Sequence, residues 1–219
     1  MRAITVAIGL LALSGAAPGE IMRFEHCDSG GLPARWTVSM THSGGAPKWG
    51  LVADATAPTP PCAFAQLSTD ATAGRFPLAI WEGAVFRDGE VSVSFKPVSG
   101  AVDRAAGIVW RYRDANNYYI VRANALENNV VLYKVQDGVR LSIAPKGLPS
   151  RAYGVKHPIA TGRWAVLRVT FQGNLFTVFL NGERLFEAED GSLGSAGKIG
   201  LWTKADSVTY FDDFEATQK

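Results

Sequence analysis

The chain has 219 residues, 47% of them hydrophobic and 19% charged, with 22 Lys and Arg against 20 Asp and Glu for a net charge of +2. That composition excludes a disordered, collagen-like or disulfide-scaffold chain, and the length suits a domain that buries roughly 70% of its unfolded surface. No basic run exceeds two residues, so a nucleic acid held through its phosphates is not expected as a partner.

The N-terminus reads as a targeting segment. Arg2 precedes the apolar stretch 3–13, and small residues follow at Ser14, Gly15, Ala16 and Ala17. A short positive start, a short apolar core and small residues predict a secretory signal peptide over 1–16, cut after Ala16, with a single domain over 17–219. The apolar core is too short to cross about 30 Å of hydrocarbon, and no later stretch reaches the length of a span. The expected location is therefore periplasmic or secreted. In such an oxidising compartment Cys27 and Cys62 can pair, and closing the loop between them would stabilise by roughly 3–4 kcal/mol; the alternative is two separate buried thiols. The three histidines, His26, His42 and His157, are scattered and make no zinc spacing.

In chain order, short alternating segments separated by turn signals predict strands throughout and no helix. Residues 91–95 (VSVSF) alternate cleanly, and 107–112 and 118–124 follow around the polar turn 113–117. A strand at 130–135 closes at Asp137-Gly138, and 139–143 pairs back. Strands at 164–171 and 175–180 lead to Asn181-Gly182, the strongest hairpin signal in the chain, with 183–188 returning from it. Strands at 198–203 and 208–214 finish the series. Residues 42–61 and 144–162, rich in Pro, Gly and Ala, are expected to be long rim loops. About a dozen strands with short connections point to an all-β, two-sheet antiparallel sandwich or jelly roll.

Alternation also predicts a face. With Val109, Val121, Leu132 and Leu201 inward, one sheet surface carries Trp110, Tyr133 and Trp202 beside Arg122, Asn124 and Lys204. Flat rings with placed donors suit a sugar, whose C–H faces stack while its hydroxyls seek polar partners. The structural alternative has Trp110 and Tyr133 as cross-strand partners under a loop and Arg122 paired with Glu127. A one-residue register error would invert the assignment.

Residues 106–135 (AGIVWRYRDANNYYIVRANALENNVVLYKV), 176–190 (FTVFLNGERLFEAED) and 196–216 (AGKIGLWTKADSVTYFDDFEA) together resemble the concanavalin A-like jelly-roll domains of the 3-keto-disaccharide hydrolase type. The resemblance covers roughly residues 22–216. It implies a curved two-sheet sandwich whose concave face or rim handles a carbohydrate or glycoside, with cleavage of 3-keto-glycosides in some relatives. The paired carboxylates of fold-sharing glucanases, in an E-x-D-x-x-E pattern, are missing; the run 187–190 (EAED) reads as a solvated hairpin end.

Among the remaining carboxylates, Glu127 and Asp206 lie on turns beside the proposed face and are the candidate general acid or base, with ion pairing or loop capping as the alternative. Asp213, in the final aromatic strand, pairs in this reading with Glu25 as ligands of a structural calcium ion; a salt bridge or loop cap is the alternative. No cofactor is required. No nucleophile elbow or phosphate loop occurs. A non-catalytic adhesion or envelope module, its sheet face covered by its own loops, is the contrasting expectation.

Overall fold

A computed structural model describes residues 20–24, 27 and 31–219; the expected leader 1–16 and Glu25 lie outside the described residues. Among those described there are sixteen strands and no helix. In order they are β1 (Glu20–Met22), β2 (Trp36–Thr41), β3 (Trp49–Ala53), β4 (Cys62–Gln66), β5 (Phe76–Phe86) and β6 (Gly89–Ser99). Next come β7 (Ala105–Asp114), β8 (Asn117–Asn124), β9 (Asn129–Gln136), β10 (Val139–Ile143) and β11 (Val155–Lys156). The series ends with β12 (Ala165–Gln172), β13 (Leu175–Leu180), β14 (Glu183–Glu189), β15 (Gly197–Trp202) and β16 (Val208–Gln218).

They form two antiparallel sheets packed as a sandwich, the jelly-roll arrangement. Sheet A runs β14-β13-β12-β6-β16-β4-β3 with β1 added on β16; sheet B runs β10-β9-β8-β7-β15-β5-β2 with β11 added on β9. Asp137-Gly138 and Asn181-Gly182 both take positive φ (50° and 79°; 49° and 82°), the geometry that lets a two-residue turn follow the twist of its strands. Residues 42–61 are not all loop: Trp49–Ala53 forms the edge strand β3, paired with β4 between its Gly- and Pro-rich flanks. Cys27 and Cys62 are disulfide-bonded, with Cα atoms 5.6 Å apart, tying the N-terminal segment to β4.

Between the sheets lies a core built by alternation. Val91, Val93 and Phe95 (β6), Leu167, Val169 and Phe171 (β12), and Phe176, Val178 and Leu180 (β13) meet Ile108 and Trp110 (β7), Tyr119 and Val121 (β8), Leu132 (β9) and Leu201 (β15). In β16 the register slips between Asp212 and Glu215, and Asp213 takes a φ of 45°. This bulge lets Phe211 and Phe214, three residues apart, both point into the core.

The outer face of sheet B is concave and has a second apolar cluster of its own: Phe76, Val109, Tyr118, Ile120, Tyr133 and Trp202 among others. In a flat sheet β10 and β5 would lie about 24 Å apart. Yet the Arg140 guanidinium of β10 is 4.9 Å from the ring of Phe76 at the start of β5 and 5.9 Å from that of Trp202 on β15. The sheet therefore curls until side chains of its far strands meet. Small residues in its middle strands permit this: a Cβ at Gly107 would meet the Val121 carbonyl at 2.9 Å and the Ile120 side chain at 3.2 Å. The turns at the two edges are joined by His42, whose ring nitrogens sit 2.7 Å from the Gly74 carbonyl oxygen and 2.8 Å from that of Gly138.

Candidate functional site

At one end of this concave face a polar network gathers residues from β8, from the β8–β9 turn and from two loops. Arg122 and Asn124, two apart on β8, share a face. The Asn124 side-chain oxygen accepts from the Leu126 and Glu127 amides at 2.8 and 3.2 Å, an Asx turn that folds Glu127 back over Arg122. Arg122 donates from Nη2 to Glu127 Oε2 at 2.9 Å and to Asn129 Oδ1 at 2.8 Å, and from Nη1 to Glu127 Oε1 at 3.4 Å. Asn129 Nδ2 donates to Glu127 Oε2 at 2.9 Å. The Arg122 side chain is wholly buried, whereas that of Glu127 is 40% exposed. Solvent therefore reaches the acid of the pair but not the base.

Asp103 joins this pair to a second one. Its Oδ1 accepts from Asn124 Nδ2 at 2.7 Å and its Oδ2 from Lys204 Nζ at 2.6 Å. Asp206 fixes the loop that presents it, accepting the amides of Ala101, Val102 and Asp103 at 2.6, 3.1 and 2.9 Å. Tyr133 supplies a ring alongside: the Arg122 guanidinium lies 5.5 Å from its centroid, and its hydroxyl meets that of Tyr153 at 2.5 Å. Tyr153, on the loop between β10 and β11, is 47% exposed.

The electrostatics favour charge. Burial pushes the Glu127 carboxyl upward, but hydrogen bonds and charge from Arg122, with help from Asn129, outweigh it and hold Glu127 below the usual carboxylate range. Burial likewise opposes the Asp206 carboxylate, and its three backbone amides bring it below the ordinary value. Neither group is arranged to keep a proton at neutral pH. Burial drives the Tyr133 phenol well above its ordinary value, against the pull of Arg122, so it stays protonated. The site thus offers carboxylate and amide acceptors, cationic donors and two phenolic rings.

Of the residues expected from the sequence, the structure brings together Arg122, Asn124, Glu127, Tyr133 and Lys204, with Asp206 behind them. Trp110 is a correction. It is fully buried in the inter-sheet core, stacked on Tyr119 at 5.5 Å and Phe171 at 5.9 Å, with Phe176 edge-on at 5.2 Å. The reason is register: Ile108 pairs with Val121 and Val109 with Ile120, so Val109 belongs to the concave face and Trp110 to the core. The strand then bulges at Arg111, whose φ is 48°, returning Tyr112 to the concave side. Trp202 does lie on the concave face, but it is fully buried there, 5.3 Å from Phe76, and contributes packing, not an open platform.

Asp213 does not fit a calcium site. Its Oδ1 accepts from the Thr59 hydroxyl at 2.7 Å and faces the Arg23 guanidinium at 3.7 Å, a cation where a metal would sit. Among the described residues no cluster of three or more His, Cys, Asp or Glu is arranged to hold a metal, and Glu25 lies outside them.

Asp103 and Asn129 were missed. Asp103 is far along the chain from Lys204, and only the pairing of β7 with β15 makes them neighbours. Asp190 was misread as a solvated hairpin end. It accepts from Tyr119 Oη at 2.7 Å and Lys134 Nζ at 2.8 Å; burial opposes its charge, but these partners and Ser192 bring its pKa to about 2. It closes the opposite end of the core. A cleft of about 430 Å3 lies between β14 and the loop after β10, lined by Lys146, Leu148, Val155, Arg184 and Phe186. None of the converging residues lines it, and its cations are paired with Glu189 and Glu187, so the polar network is the stronger candidate.

The family model described as "3-keto-alpha-glucoside-1,2-lyase-like domain" matches residues 34–216. The chain belongs to this family. Its fold is shared with the carbohydrate-binding module CBM66 from Bacillus subtilis, at a TM-score of 0.62 and 19% identity over 82% of this chain and 93% of that one. The K247S mutant of the GH43 protein BlXynB from Bacillus licheniformis gives 0.57 and 16%, over 89% of this chain and 39% of the other. A Bacillus subtilis protein of unknown function with a galectin-like fold gives 0.51 and 14%, over 84% and 90%. At these identities the likeness is one of fold. Among curated proteins none matches the chain. No helix among the described residues is long and apolar enough to cross a membrane.

Proposed function

We propose that this member of the 3-keto-alpha-glucoside-1,2-lyase-like family binds a carbohydrate or glycoside at the polar end of the concave face of sheet B. One observation carries the reading: a half-exposed, ionised Glu127 lies over a wholly buried Arg122, with Asn124, Asn129, Lys204 and the Tyr133–Tyr153 pair around it. Glu127 and Lys204 reach solvent and supply an acceptor and a donor for sugar hydroxyls, Tyr153 offers a ring face for its C–H groups, and buried Arg122, Asn124, Asn129 and Tyr133 hold them in place. CBM66, a carbohydrate-binding module by name, shares the fold and lends support. Affinity electrophoresis or a glycan array on the purified domain tests it; wild-type retention of a glycan that is lost in Glu127→Gln is the expected result, and no glycan retained by wild type refutes it.

Binding is favoured over hydrolysis. A general acid needs a carboxyl that keeps its proton near neutral pH, and Arg122 holds Glu127 ionised. Asp206 is committed to three amides and positions the Asp103 loop. Action on 3-keto-glycosides is the second reading, favoured by the family match, with ionised Glu127 as general base. Release of sugar from 3-keto-glucosides by wild type, abolished in Glu127→Gln, supports it; no turnover by wild type removes it. The filled concave face is what an adhesion module would present, but such a module gives no reason for the half-exposed network at its end.

Export belongs to the same proposal. The 1–16 leader is expected to be removed after Ala16, and a Cys27–Cys62 disulfide suits an oxidising compartment. N-terminal sequencing of the mature protein checks it; a start at Met1 contradicts it.

A further inference from the structure

Several charged side chains flank the proposed site. Arg122 is paired with Glu127 and Lys204 with Asp103. Arg140 on β10, by contrast, has no ion pair and no side-chain hydrogen bond among the described residues, and its Nη1 is buried without an acceptor. Lys156, whose Nζ donates to the Glu127 carbonyl at 3.1 Å, adds to the positive side. The guanidinium of Arg140 is held by rings alone: its centre is 4.5 Å from the centroid of Tyr133, 4.9 Å from Phe76 and 5.9 Å from Trp202. Ring faces attract a cation, but they offer no acceptors for its N–H groups. Arg122 sits over the same Tyr133 ring and leaves its own buried Nε unpartnered. Two guanidinium groups therefore share one ring, and each retains a buried nitrogen without an acceptor.

A half-buried cation without an ion pair gains when a partner arrives, and the planar fork of a guanidinium matches a carboxylate in two parallel hydrogen bonds. Resting on the reading of this site as a sugar site, we infer that its ligand is an acidic saccharide, and that the carboxylate of a uronic acid unit is received at Arg140. Neutral hydroxyls would be met by Glu127 and Lys204, the members of the network that reach solvent. Arg140 is only partly buried, so its remaining surface gives the carboxylate a path from solvent. The curl of sheet B is what creates this position, because it lays an edge-strand arginine against rings from the other side of the sheet.

The test is an array of uronate oligosaccharides, each paired with its methyl ester, which removes the charge and keeps the rest of the sugar. The acid is expected to bind at least tenfold tighter than its ester, with the difference shrinking as NaCl is raised. In Arg140→Met the preference is expected to fall below threefold while the melting temperature stays near that of wild type. Should that variant not fold, Arg140→Lys, which keeps the cation and loses the fork, replaces it and is expected to weaken acid binding while leaving the ester unchanged, and equal acid binding in wild type and Arg140→Lys would overturn the assignment. Acids and esters bound alike, or a preference that survives in folded Arg140→Met, would overturn the assignment while leaving the sugar site standing. Sulfated oligosaccharides bound more tightly than every uronate would overturn the carboxylate. Retention of no glycan at all would remove the sugar site and this inference with it.

Discussion

The Arg122–Glu127 pair makes an asymmetric prediction. Removing one partner of a buried ion pair costs about 3–5 kcal/mol when the partner left behind is buried and unpaired. In Glu127→Gln the residue left behind is Arg122, fully enclosed, its cation met only by the neutral Asn129 oxygen at 2.8 Å and one amide oxygen of the new glutamine. Because water reaches the 40% exposed position 127, the cost is discounted to about 2 kcal/mol. In Arg122→Met the residue left behind is Glu127, which solvent and the Asn124 and Asn129 amides can serve, so the cost is about 1 kcal/mol or less. For a domain of this size those figures correspond to melting-point losses of roughly 4–8 °C and at most about 4 °C. The sign with pH follows from the lowered pKa of Glu127. Its contribution is complete above the unfolded value, about 4.3, and disappears as pH falls through the lower folded value, so the deficit of Glu127→Gln should vanish in acid. Thermal melts of both variants from pH 7 to pH 3 measure this. A larger loss in Arg122→Met than in Glu127→Gln, or a deficit in Glu127→Gln that persists in acid, would refute the reasoning.

Other outcomes follow from burial and partners. Trp110→Ala empties a position stacked between Tyr119 and Phe171 and should cost about 3–5 kcal/mol in urea unfolding, with glycan binding retained by the folded fraction; a loss under 1 kcal/mol would mean the ring is not in the core. Asp206→Ala strips the acceptor from the amides of 101–103 and should cost about 2 kcal/mol while weakening glycan binding through Asp103; unchanged binding would detach that loop from the site. Replacing Cys27 and Cys62 together by Ser removes a cross-link of sequence separation 35 and should lower stability by about 4 kcal/mol; an unchanged denaturant midpoint would contradict it. Gly107→Ala drives a methyl to 2.9 Å from the Val121 carbonyl and should destabilise by about 1–3 kcal/mol; wild-type stability would show that the curl of sheet B has slack there.

How far the sequence could be read depended on how it alternates. In β8, β9 and β15 an aliphatic residue next to a polar or aromatic one settles the facing, and Arg122, Asn124, Tyr133 and Trp202 fall on the concave side as alternation expects. In β7 the run Ile108-Val109-Trp110 is apolar at every position, so alternation is silent and pairing alone decides; Ile108 opposite Val121 sends Trp110 inward. The early strands escaped for a related reason. β4, CAFAQ, is buried at every position and shows no period of two, and β3 lies between Gly- and Pro-rich flanks. The curl of sheet B was illegible, because it depends on small residues at Gly107 and on distant turns joined by His42. So was the Asp103–Lys204 pair, which only tertiary pairing assembles.

Amide chemical-shift mapping of the labelled domain, titrated with a glycan it retains, tests the location of the site most directly. The account predicts shifts concentrated at Asp103, Arg122, Asn124, Glu127, Tyr153 and Lys204. Shifts centred instead on Lys146, Leu148 and Arg184, around the cleft beside β14, would contradict it.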